Sequence, residues 1–209
     1  IGINYTNDEG VNAGITYFHN DYKNRIGTGN IAPEYILPSE EGGEANVQVF
    51  QWYNIPEAVI RGLEGNLQFN LTDSIQWSTN LTVMLETKDK ETGVPLSIVP
   101  DYTVNAMLTW QATEQIQLVL SGQHYGKTES PELSQNSGQA ITGEDRDAYT
   151  IANLNAVYQF NDNLSFNLSV KNFINTDVRR EGTQASSAGA NTFNEPGRSY
   201  LVSANYTFL

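Results

Sequence analysis

Arg198-Ser199-Tyr200-Leu201-Val202-Ser203-Ala204-Asn205-Tyr206-Thr207-Phe208 is the stretch that decides the fold. Side chains of a strand alternate between its two faces. Tyr200, Val202, Ala204, Tyr206 and Phe208 therefore share one face, and Ser203, Asn205 and Thr207 line the other with Leu201. One face is apolar and ends on two aromatic rings; the other is small and largely polar. Taken alone, the pattern fits an ordinary half-buried edge strand as well as a strand with lipid on one side.

The same alternation recurs upstream. Leu63, Leu67, Phe69 and Leu71 oppose Glu64, Asn66, Gln68 and Asn70. Ile75, Trp77, Thr79, Leu81, Val83 and Leu85 oppose Gln76, Ser78, Asn80, Thr82 and Glu86. Further apolar sets are Val11, Ala13, Ile15 and Tyr17; Tyr102, Val104, Ala106, Leu108 and Trp110; Ile116, Leu118 and Leu120; Leu154, Ala156, Tyr158 and Phe160; and Leu164, Phe166, Leu168 and Val170. With the tail of a strand at Ile1 to Tyr5, this predicts about nine strands, no helix, and a meander of antiparallel neighbours.

Connections alternate in length. Short turns fall at Thr6–Gly10, Thr72–Ser74, Thr113–Gln115 and Asn161–Asn163; long polar stretches run through 27–46, 88–95, 126–148 and 177–197. Strands of ten residues or more exceed the usual ~5–6 of soluble sheets and suit the ~9–11 of a tilted membrane strand. Short turns at one end and long loops at the other are the habit of outer-membrane barrels. Trp77, Trp110, Phe160, Tyr206 and Phe208 sit near the short-turn end of the apolar face, where interfacial rings belong. The expected fold is all-β: an antiparallel up-and-down transmembrane β-barrel, with a soluble all-β domain as the competing reading. Because an odd, mid-strand start cannot close a barrel, residues 1–209 are expected to be its C-terminal portion.

Composition bounds the function. The chain has 209 residues, 39% of them hydrophobic, and a net charge of −13. Mean hydropathy is −0.42, and no apolar run approaches the ~20 residues of a spanning helix. A barrel averages out as polar because only alternate residues meet lipid. Strong acidity argues against nucleic acid as a partner. Cysteine is absent, which removes disulfides and thiolate metal sites. No signal peptide precedes Ile1, as expected of a mature chain or a fragment of an exported protein.

Phe50-Gln51-Trp52-Tyr53-Asn54-Ile55-Pro56 and Arg61-Gly62-Leu63-Glu64-Gly65 together resemble the aromatic-Asn-x-Pro, Gly-x-Glu strand opening of TonB-dependent siderophore receptors. Leu96 to Tyr102, Tyr125-Gly126-Lys127, Lys171-Asn172-Phe173-Ile174-Asn175 and Asn194-Glu195-Pro196-Gly197-Arg198 resemble the later landmarks of that family, in the family's order. Within it, the chain is most similar to ferric enterobactin (catecholate) receptors. The resemblance implies a twenty-two-stranded barrel, of which this chain supplies about nine strands. It further implies an N-terminal plug and earlier strands outside this sequence, a ferric catecholate siderophore bound externally, and energy from the TonB complex through the missing N-terminal part. The barrel assembly machinery would read the closing strand. One departure is that Leu209 follows Phe208, whereas the family usually finishes on the aromatic.

A trianionic ferric catecholate calls for cations and aromatic faces. Most of the long loops are acidic: Glu34, Glu40, Glu41 and Glu44 load the first, and Glu129, Glu132, Glu144, Asp145 and Asp147 another. Arg179, Arg180, Lys127 and Arg146 are accordingly the candidate ligand-binding cations, with Tyr125, Tyr149 and Trp52 as stacking partners. The competing role for each cation is pairing with a neighbouring loop acid or a lipopolysaccharide phosphate. Glu64 and Glu86 share polar-face parity and are expected to solvate the lumen and meet the plug. His19 and His124 lack metal-site spacing, and no serine stands in a nucleophile motif. Catalytic and metal sites are therefore assigned to no residue, and no cofactor is expected beyond iron carried inside the siderophore. The function expected is TonB-dependent transport in the outer membrane. The alternatives are a passive porin or surface enzyme on another barrel, and a soluble β-rich binding module. Bacteriocins or phage are further conceivable users of the loops.

Overall fold

The computed structural model describes residues 1–30, 50–90, 93, 99–128, 145–177 and 196–208. Among the described residues, nine strands form a single antiparallel sheet in sequence order: β1 Gly2–Thr6, β2 Asn12–Asn30, β3 Phe50–Thr72, β4 Ile75–Asp89, β5 Tyr102–Gln111, β6 Ile116–Tyr125, β7 Tyr149–Asn161, β8 Leu164–Lys171 and β9 Ser199–Tyr206. Each strand pairs with its sequence neighbours, and β1 and β9 form the two edges.

Register carries the two-faced pattern across the whole sheet. Leu67 lies opposite Thr79, which lies opposite Ala106, then Gly122, then Ala152. One row away, Trp77 faces Leu108, Leu108 faces Leu120, Leu120 faces Leu154, Leu154 faces Val170, and Val170 faces Tyr200. The opposite face is amide-rich: Asn66 is opposite Asn80, Asn80 opposite Asn105, and Asn105 Nδ2 donates to Asn80 Oδ1 at 2.8 Å. Among the described residues only Ala58, Val59 and Ile151 are buried apolar side chains, while Leu81, Leu120, Leu154 and Leu168 stand exposed on the apolar face. A continuous apolar face of that extent, with no covering layer among the described residues, matches a lipid-facing surface.

Aromatic rings mark both borders of that face. Near the short turns, Tyr158 and Phe160 meet edge-on with centroids 6.3 Å apart, and Tyr206 and Phe208 at 4.8 Å. Toward the other end, the Tyr102 hydroxyl lies 3.1 Å from His124 Nε2, whose Nδ1 is 2.8 Å from Thr150 Oγ1. Along β5, Tyr102 to Trp110 spans about 27 Å of strand, or about 20 Å of membrane depth at ~40° of tilt, close to the ~25 Å apolar band of such barrels.

The short turns are built by side-chain acceptors. Asn7 Oδ1 accepts from Val11 N at 2.8 Å, Thr113 Oγ1 from Ile116 N at 3.0 Å, and Asn161 Oδ1 from both Asn163 N and Leu164 N at 3.0 Å. At the base of the last loop, buried Asn172 donates from Nδ2 to the carbonyls of Thr176 and Pro196 and accepts from Thr176 N. Asn172 has φ 47°, a left-handed conformation that asparagine tolerates.

β3 runs through Pro56, and two expectations are corrected elsewhere in the sheet. Lys23 is opposite Glu57 and Arg25 opposite Ile55, while Asn24 and Pro56 drop out of the ladder. Proline has no N–H to give there, and Asn24 takes the left-handed φ of 56°. The loop expected from Lys88 begins later, since β4 continues to Asp89. Last, Glu86 does not share the face of Glu64. The β3–β4 register slips between Arg61–Glu86 and Gly62–Met84, leaving Leu85 as a bulge residue. The extra residue reverses parity, so Glu86 joins Arg61 on the apolar side and only Glu64 keeps the polar face.

Candidate functional site

The end of the sheet away from the short turns brings four of the seven nominated residues together. β6 finishes at Tyr125 and β7 begins at Tyr149, directly opposite each other in register. Their parity is that of Gln123, Ser121 and Asn153, so both rings stand on the polar face. The rings stack, with centroids 4.8 Å apart and planes 22° apart. The Tyr125 hydroxyl donates to Gln123 Oε1 at 3.2 Å.

Beyond the strand ends the two chain segments stay joined. Thr128 and Arg146 exchange both backbone hydrogen bonds at 2.9 Å, which folds the loop base back over the tyrosines. The Arg146 guanidinium donates to Thr128 Oγ1 at 3.1 Å, and its Cζ sits 5.0 Å from the centroid of Tyr149. Arg146, Tyr149 and Tyr125 thus form one column: guanidinium on phenol on phenol. Such stacking retains the positive charge of Arg146 while fixing its plane. Thr128 is fully buried, and Arg146 Nε is buried with no hydrogen-bond partner among the described residues. Lys127 Nζ stands 2.8 Å from the Asp145 carboxylate, so part of its charge is answered locally.

Gly126 makes the arrangement possible. A Cβ there would fall 2.7 Å from the Tyr102 ring and 3.1 Å from the Tyr102 backbone nitrogen. With glycine in place, Gly126 N donates to the Tyr102 carbonyl at 2.8 Å and Asp101 N to the Lys127 carbonyl at 2.9 Å. The Tyr125-Gly126-Lys127 landmark is therefore a close crossing of β5 and the end of β6, and it puts Tyr125 and Lys127 at fixed positions on the rim.

The other nominated residues are not part of this column. Trp52 lies in β3 opposite Thr28, with β4 and β5 between it and β6. Arg179 and Arg180 fall outside the described residues. Arg146 and Tyr149 sit on the far side of a long loop from Tyr125 and Lys127. Ligand chemistry nominated them separately, and strand pairing is what unites them. Thr128, the buried partner of Arg146, had no distinguishing signal in the sequence. Nor did the charged group formed on the apolar side by Arg61, Glu86 and Lys88, because it depends on the Leu85 bulge.

The column offers an anion two things at once, a guanidinium of fixed plane and an aromatic surface, at the mouth of the polar side of the sheet. Residues 1–173 match the family described as TonB dependent receptor-like, beta-barrel. The chain is 42% identical over its whole length to the ferric enterobactin receptor of Pseudomonas aeruginosa, covering 29% of that protein, and 33% identical to the ferrienterobactin receptor of Escherichia coli, again covering 29%. A crystal structure of the P. aeruginosa ferric enterobactin receptor, in a G324V mutant form, superposes with a TM-score of 0.81 at 40% identity, covering 99% of this chain and 30% of that one. The chain therefore spans less than a third of the length of these relatives.

Proposed function

The chain belongs to the TonB-dependent receptor-like β-barrel family, and from that premise we propose that it is the late-barrel part of an outer-membrane receptor that imports a ferric siderophore of the catecholate type. The observation that carries the reading is the Arg146–Tyr149–Tyr125 column at the mouth of the polar face. A ferric catecholate is a trianion clothed in aromatic rings. A guanidinium answers its charge, and phenol faces answer its rings.

The physical setting supports active transport. The apolar belt lies in the outer membrane, where no nucleotide is at hand, and a barrel of this class is wide enough to leak unless something fills it. A plug and the earlier strands would be supplied by the remainder of a complete receptor, together with the segment that contacts the TonB complex. Work from the inner membrane would then release a ligand held tightly outside. Iron is cargo here, carried within the siderophore. The closing strand is the part offered to the barrel assembly machinery, and the exposed loops are open to lipopolysaccharide and to bacteriocins or phage. A passive porin or a surface enzyme draws no support from a family whose matched relatives are named as receptors.

The test is a titration of the complete purified receptor with a ferric catecholate trianion and, separately, a less charged ferric hydroxamate. The reading expects the catecholate to bind more tightly. Equal affinity, or preference for the hydroxamate, would remove the catecholate assignment.

A further inference from the structure

On the apolar face, the upper aromatic border runs through Tyr17, Tyr102 and His124; the Tyr17 hydroxyl lies 3.1 Å from His19 Nδ1. Immediately beyond this border the same face changes from leucine to charge. Tyr17 is opposite Leu63, whereas the next pair outward is His19 and Arg61. Arg61 is in turn opposite Glu86. Arg61 Nη2 and Lys88 Nζ each lie 2.5 Å from a different oxygen of Glu86. Nearby, Lys90 Nζ is 2.6 Å from Asp21, and His19 Nε2 is 3.2 Å from it. These side chains, with Val59, line an open cavity of about 420 Å³.

Two features set this group apart from a chance surface ion pair. The Leu85 bulge alone brings Glu86 and Lys88 to this side; an unbroken register would turn both toward the polar face. The exposures are also graded. Glu86 is 16% exposed, while Arg61 and Lys88 are 44% and 45% exposed. One carboxylate thus sits beneath two cations and fixes their spacing. It cancels only one of their charges, and the cations remain open outward.

We propose that Arg61 and Lys88, held by Glu86 on the membrane-facing side of β3 and β4, bind the phosphate of a phosphorylated outer-leaflet lipid headgroup. The site rests on the outer-membrane reading but not on the identity of the siderophore. Its level is what selects a lipid: it lies just outside the aromatic border, where headgroups meet the barrel wall, and on the face turned to the bilayer. The guanidinium offers a planar fork to two phosphate oxygens, and the ammonium offers a compact charge beside it. Asp21 and Lys90 form a second ion pair at the flank of the cavity.

Delipidated complete receptor in detergent provides the test, with bound lipid counted by native mass spectrometry. The probes are diphosphorylated lipid A, the same lipid enzymatically stripped of phosphate, and inorganic phosphate. Wild-type receptor is expected to retain diphosphorylated lipid A, and Arg61→Gln with Lys88→Gln to bind it at least about tenfold more weakly. Stripped lipid A is expected to bind both proteins equally and weakly, and inorganic phosphate not to displace the lipid. Equal binding of diphosphorylated lipid A by wild type and double variant overturns the proposal, as does equal binding of the stripped lipid by wild type. Displacement by inorganic phosphate overturns the lipid as the source. Heat-modifiable electrophoretic migration reports folding. Should the double variant not fold, the two single variants decide, each expected to lose part of the binding; no loss in either overturns the site. Siderophore titration of the same preparations keeps the two readings apart, because the substitutions are expected to leave it unchanged.

Discussion

Tyr125 and Tyr149 stack across the open end of the β6–β7 hairpin, 4.8 Å between centroids, and Arg146 lies over the second ring. The relationship joins residues separated by a long loop. It builds the candidate site on the base of that loop, where the strand ends hold it.

Arg146→Ala in the complete receptor is expected to weaken ferric catecholate binding by ~1–3 kcal/mol, the range for losing a charge-assisted contact. Tyr149→Leu should cost ~0.5–1.5 kcal/mol, since it removes one ring from the stack. Lys127→Ala should cost less than ~1 kcal/mol because Asp145 already answers part of its charge. Calorimetric titration gives all three. If Arg146 and Tyr149 variants bind like wild type, the column is loop scaffolding, and recognition passes to residues such as Arg179 and Arg180.

Facing of the strands gives a prediction of another kind. Replacing Leu108 by Arg is expected to destabilise the folded barrel by ~2–4 kcal/mol, as for a charge near mid-bilayer on the lipid side. Thr109→Arg, one residue on and on the polar face, should cost far less. Unfolding in urea from lipid vesicles compares them. Equal costs would contradict the lipid-facing assignment of the apolar belt.

Gly126→Ala drives a methyl group to 2.7 Å from the Tyr102 ring and 3.1 Å from its backbone nitrogen. The expected destabilisation is ~1–3 kcal/mol, an overpacking cost in which backbone must give way. Gly65→Ala is the control, because its Cβ would meet nothing nearer than 3.8 Å. Thermal unfolding of both variants separates them; a Gly126 variant as stable as the control would show that the β5–β6 crossing is looser than described.

The sheet was legible in the sequence to the extent that alternation was unbroken. Leu63 to Phe69, Ile75 to Val83 and Tyr102 to Trp110 alternate cleanly, and all three lie in the strands and on the faces that pattern predicts. Parity fails as a guide at Leu85, because a bulge leaves no mark in composition; Glu86 was therefore assigned to the wrong face. Pro56 is accommodated without ending the strand, because the ladder skips it opposite a left-handed Asn24. In the site, residue types were readable from the chemistry of a charged aromatic ligand. Their convergence was not, since it depends on the Tyr125–Tyr149 register and on buried Thr128.

Closing-strand register makes Phe208 the last ring of the aromatic border, edge-on to Tyr206. Phe208→Ala is expected to lower the yield of assembled receptor in the outer membrane, while deletion of Leu209 leaves it unchanged. Quantifying heat-modifiable receptor in membrane fractions checks both. The opposite ranking would place the terminal signal on Leu209.

Uptake of labelled ferric catecholate by cells whose only such receptor is the complete protein tests the central claim most directly. The account predicts iron accumulation when the TonB system is intact, and surface binding without accumulation when TonB is deleted or the proton gradient is collapsed. Accumulation at the same rate without TonB would contradict it, and would make the barrel a passive pore.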